Sequence, residues 1–182
     1  MTPTEWIGLA AGHGSNAEAD HRLHHLAAEL PLPAATFGET VRVAPGRLGL
    51  RVGLPDEPSA DAALRRLADS DGLSVAWRDR RLGADPHRDD AVAALRGGGR
   101  VVLFPGWSDI PPTLTIAELL ATTAIDHVTA LGGTPVAPTA LLETRGHLRP
   151  QWHDGLLTLQ LAPAHHGYLP FDLPDPHPCC TP

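Results

Sequence analysis

The sequence contains no lysine: all fourteen of its basic residues are arginine. That absence excludes a Schiff-base lysine, a pyridoxal phosphate anchor and the lysine of a P-loop nucleotide site. Cysteine is confined to one adjacent pair, Cys179 and Cys180, and tyrosine occurs once. No apolar run approaches the ~20 residues that span a bilayer. The opening stretch, MTPTEWIGLAAGHG, has neither the basic start nor the apolar core of a secretory signal. These absences lead us to expect a cytoplasmic protein with reduced thiols and no membrane partner. A basic face is missing too. The net charge is −7, and the densest arginine run, WRDRR at 77–81, is broken by Asp79. Nucleic acid is therefore not an expected partner. The chain also lacks a Rossmann dinucleotide fingerprint, and GGGR at 97–100 follows a helix where a phosphate cradle would open one.

What is present fits a folded protein with a core. Of 182 residues, 42% are apolar, with 18 glycines and 19 prolines that foretell short elements and tight turns. We expect an α+β fold: one globular domain over 1–171, then a Pro-rich tail over 172–182. TPTE at 2–5 has the form of a capping box and predicts a helix through about Ala11, ended by Gly12 and Gly14. Ser15 or Asn16 then caps a second helix over roughly 17–30, completing an N-terminal helical pair. Residues 40–54 form two strands around Pro45-Gly46. Two acidic-start, Gly-ended helices follow, at 56–72 and 84–99, each leading into a strand, in a βαβαβ-like order. One long helix is expected over 111–133, with Ile116, Leu120, Ala124, His127, Val128 and Leu131 on one face. Residues 139–171 alternate as an antiparallel meander with turns at HDG and AHHG. The tail, with prolines at 174, 176, 178 and 182, is expected to be extended.

Eleven histidines dominate the chemistry. In the second helix, His21 and His25 fall opposite the Leu23/Leu26 stripe, spaced i, i+4 as in a metal pair or a solvated polar face. His127, amid apolar residues, reads as a core histidine or as a general acid–base. GHGSN at 12–16 reads as a helix–helix turn or an anion-binding nest, and it lacks the frame of a serine-nucleophile elbow. In the tail, adjacent cysteines sit about 3.8 Å apart at Cα, too close for an unstrained disulfide. They lack the spacer of a zinc knuckle, yet two adjacent thiolates suit a soft ion such as Cu(I). His177 can add a third ligand, and His165-His166 or His21/His25 can complete the shell. Docking of the cysteines as small hydrophobes, and thiol redox, are the alternative roles. The expectation is thus a small protein binding Cu(I) or Zn through His177, Cys179 and Cys180. The alternatives are an enzyme using His127 in a pocket between the long helix and the C-terminal strands, and a non-catalytic interaction module. A homo-oligomer or a protein partner engaged through the tail accompanies these readings.

Overall fold

Along residues 7–10 large and small side chains alternate: Ile7, Gly8, Leu9, Ala10. Such a period of two belongs to a strand with both faces buried. In the computed structural model, which describes residues 2–173, this stretch is β1 (Glu5–His13). The predicted first helix is therefore a strand. The residues of the apparent capping box have other partners: the Thr4 hydroxyl donates to the Pro55 carbonyl, and Glu5 accepts from Trp77 Nε1 and Arg78. Glycine at positions 8 and 12 also disfavours a helix there.

The chain divides into two compact units, Met1–Pro105 and Gly106–Pro182. In the first, β1 leads through α1 (Asn16–Glu29) to the hairpin of β2 (Phe37–Ala44) and β3 (Arg47–Leu54), then through α2 (Glu57–Ala68) to β4 (Ser74–Trp77). Next come β5 (Arg80–Gly83), α3 (Arg88–Arg96) and β6 (Arg100–Leu103). The strands run in the order β5-β4-β1-β3-β2-β6, with every neighbouring pair antiparallel. The β1-α1-β2-β3-α2-β4 portion has the connectivity of a split βαβ fold, which by itself implies no activity.

The two faces of this sheet differ in side-chain size. Ile7 pairs with Val52 and Leu9 with both Leu50 and Val75, giving one face of large, buried residues. Leu23 and Leu26 of α1 and Leu64 and Leu67 of α2 are buried as well. On the other face lie Gly8, Ala10 and Ala76, where Ala91 of α3 joins the cluster. Small residues there let the α3 backbone approach the sheet closely. Both helix starts are capped as their sequences imply. Ser15 and Glu18 form a reciprocal capping box on α1, and Asp56 accepts from the Ser59 amide on α2.

In the second unit, β7 (Thr113–Thr115) leads into α4 (Ile116–Thr122), then β8 (His127–Ala130) and β9 (Thr134–Pro135). The remaining strands are β10 (Leu141–Glu143), β11 (Gln151–His153), β12 (Leu156–Ala164) and β13 (Gly167–Pro170). β11, β12 and β13 pair antiparallel in succession, while β8 joins β12 and β10 joins β13 in parallel. The long helix expected over 111–133 is thus a strand, a two-turn helix and another strand. Its β-branched residues lower helix propensity only slightly; pairing of 113–115 with β10 and of 127–130 with β12 makes those stretches strands. Thr115 starts α4 with a capping box to Glu118, and the Thr122 and Thr123 hydroxyls donate to the carbonyls of Glu118 and Leu119 at its end. Asp126 then ties the chain to β12, exchanging bonds with the Leu157 backbone.

The described residues form four α-helices and mixed strands, an α+β protein. Among them no helix is long and apolar enough to cross a membrane. Of the tail, only Asp172 and Leu173 are among the described residues.

Candidate functional site

The β12–β13 hairpin closes between Ala164 and Gly167, so its two-residue turn is His165-His166. Turns of this length favour Asn, Asp and Gly, because they demand unusual backbone angles. The neighbouring β11–β12 hairpin follows that rule, with Asp154 and Gly155 both at positive φ (50° and 82°). Two imidazoles in the second turn serve no comparable backbone need. Both side chains are exposed, their ring centroids lie 4.2 Å apart, and the two Nδ1 atoms approach to 3.4 Å.

The other expected metal ligands fall into two groups. His177, Cys179 and Cys180 lie outside the described residues. His21 and His25 project from the exposed side of α1, as their spacing from Leu23 and Leu26 predicts. Their ring centroids are 6.3 Å apart, and His25 Nδ1 sits 2.9 Å from the Glu29 carboxylate. Among the described residues, no three His, Cys, Asp or Glu side chains gather into a metal-binding group.

His127 opens β8 opposite Thr158 and is exposed. The expectation of a half-buried histidine on a long helix is corrected: a strand, not a helical turn, sets its direction. Val128, the next residue, points into the core instead.

Three histidines that the sequence reading did not single out occupy tighter surroundings. His13, at the end of β1, has a sealed Nδ1 with no hydrogen-bond partner among the described residues. Burial holds its pKa below the ordinary 6.5, and Arg22 and His87 push it the same way while Glu18 opposes them. His87 packs on Gly12: a Cβ added to that glycine would stand 2.8 Å from the His87 ring. His147 in the second unit is buried, and its Nε2 lies 3.6 Å from Asp172 Oδ1. The signal for His13 was present in GHGSN, where Gly12 takes a φ of +77° and Ser15 starts α1. Nothing local marks His87 or His147.

No protein-family model, no curated protein and no solved structure matches the chain.

Proposed function

We propose that the protein binds a soft metal ion, Cu(I) or Zn(II), with His165 and His166 as paired imidazole donors and Cys179 and Cys180 as thiolate donors. His177 is an alternative nitrogen donor that can take the place of one of the pair. The observation that supports this reading is the 3.4 Å separation of the two Nδ1 atoms. At metal–nitrogen bonds of about 2.0–2.1 Å, the edge of a tetrahedron is about 3.3–3.4 Å. That separation matches the bite of one ion, provided that both nitrogens turn their lone pairs from each other toward it. Two imidazoles and two thiolates make an S2N2 set, which suits Zn, while the adjacent thiolates alone suit Cu(I).

Chain length permits the closure. β13 and Phe171, whose amide donates to the Gln160 carbonyl, carry the chain away from the turn. The return from Phe171 to His166 is about 17 Å, at about 3.3–3.4 Å per residue. The eight steps from Phe171 to Cys179 reach at most about 28 Å.

The test is elemental analysis of untagged protein prepared without chelator, beside the Cys179→Ser/Cys180→Ser and His165→Ala/His166→Ala double variants. One equivalent of metal in the parent, lost in the cysteine variant and weakened at least tenfold in the histidine variant, is the expected result. Equal metal content in all three, or none in the parent, would overturn the reading. The histidine variant changes only an exposed turn, so its fold should be retained.

A further inference from the structure

In the first unit, β1 ends and α3 begins at a shared corner. His13 is the last residue of β1, and His87 is the N-cap of α3. His87 makes no side-chain capping bond to its own helix. Its ring instead seats on the backbone of Gly12, at a point where any side chain would collide with it. His13, next along the strand, has its Nδ1 sealed from solvent with no acceptor or donor opposite it among the described residues.

We infer that this corner is a proton-sensitive clasp: with His13 neutral, His87 and the first turn of α3 lie against β1, and protonation of His13 releases them. A proton on His13 Nδ1 would place an unpaired donor in a sealed position and a positive charge on a half-buried ring. The charges acting on it come from both elements packed there. Arg22 of α1 and His87 of α3 oppose a proton, and Glu18 of α1 favours one. Glu18 is already engaged, because its carboxylate accepts from the Gly14 and Ser15 amides. It cannot turn to His13 without uncapping α1. The easier relief is for His87 to lift from Gly12, which opens the corner to water and moves α3 at its N-terminal end. The rest of α3 is held by the Gly8/Ala10/Ala76/Ala91 contact and by Arg47, 3.4 Å from Asp90.

The sign follows from the linkage. Well above pH 6.5 His13 is neutral whether the corner is closed or open, so the closed form carries no penalty. As pH falls below 6.5, the open form takes the proton first. The closed form loses ground until pH reaches the lower value of the closed state, and levels off below it.

Amide hydrogen exchange of the full chain between pH 7.5 and 5, corrected for intrinsic rates, tests the clasp. The Ala91 amide, which donates to the His87 carbonyl, should lose protection about tenfold or more on acidification, while α2 amides such as Leu64 stay constant. His13→Gln should abolish the step, and Gly12→Ala should leave α3 open at every pH. His87→Asn gives a second route should the Gln variant not fold: without the imidazole, the α3 turn should exchange without a pH step. Loss of protection in α2 and α3 together would mean global acid unfolding and would overturn the inference. So would an unchanged step in His13→Gln or His87→Asn.

Discussion

Glu39 is fully buried on β2, and its carboxylate is matched on three sides. It accepts from Arg51 Nε at 2.8 Å, from Arg51 Nη2 at 3.1 Å and from the Gly99 amide at 3.0 Å. The Arg51 guanidinium lies 3.9 Å over the Trp6 ring, so the cation is covered as well. A buried pair of this kind adds little net stability against an apolar pair of equal volume, yet removing one partner strands a charge. Glu39→Ala and Arg51→Ala should each cost about 3–5 kcal/mol in urea unfolding, whereas Glu39→Met/Arg51→Leu should recover most of it. A cost below about 1 kcal/mol for either single variant would mean that water reaches the pair. The sequence could not reveal this pairing. Counting outward from the Pro45-Gly46 turn, where Ala44 faces Arg47, puts Glu39 opposite Val52. The register shifts between Arg42 and Ala44, and Glu39 faces Arg51 instead. One inserted residue moves a side chain to the other face of its partner strand, and the local pattern carries no mark of it.

Among the elements, the seating of α3 shows how glycine can be read too narrowly. Gly8 lies where an added Cβ would stand 2.1 Å from the Ala91 carbonyl and 2.6 Å from the Leu95 amide. Backbone atoms cannot step aside as a side chain can, so α3 would have to rise off the sheet. Gly8→Ala should therefore destabilise by about 1–3 kcal/mol or more, read as a lower melting temperature. Gly14→Ala is the matched control: the nearest atom to its Cβ would be the Glu18 carboxylate at 3.9 Å, and its amide bond to Glu18 is kept. It should be neutral or slightly stabilising. Equal losses in the two variants would remove close approach as the explanation. Small residues such as Gly8 and Ala10 made β1 hard to recognise. A strand covered on both faces loses the polar–apolar alternation that marks a half-wet strand, and its small–large alternation resembles a loose helix. α1 and α2, with one buried stripe and ordinary caps, were legible at once. Residues 111–133 failed for a different reason. Apolar residues fell at helical spacing, but the threonines and β-branched residues between them favour strands. The partners that decide the matter, Thr115 beside Leu141 and Val128 beside Leu159, lie far along the chain. His127, placed on that helix by its spacing, stands exposed at the start of β8 instead. The His165-His166 turn was visible because a hairpin turn needs only local signals.

For the molecule as a whole, each unit carries its own buried core, so an ion held by the second need not stabilise the first. His165 and His166 belong to the β12–β13 hairpin, and Cys179 and Cys180 follow it in the chain. Binding a ligand to the folded state alone adds RT ln(1 + [L]/Kd), about 2.7 kcal/mol at a hundredfold excess over Kd. The gain should be smaller to the extent that free thiolates bind the ion in the unfolded chain. Zinc at that excess should therefore slow hydrogen exchange in β12 and β13, by up to about a hundredfold, and leave β1, β3 and β4 unchanged. Acidification should weaken the effect, because thiols and imidazoles must shed their protons to coordinate. The charge of −7 favours any cation over a bare surface, and eleven histidines offer many weak contacts. Location separates the two causes. Adsorption to scattered histidines such as His21, His25 and His153 would spread the protection over both units and survive Cys179→Ser/Cys180→Ser. A shared site would confine it to the second unit and vanish with the thiols. Protection that is uniform, or indifferent to the cysteines, would leave the paired imidazoles as a turn and nothing more.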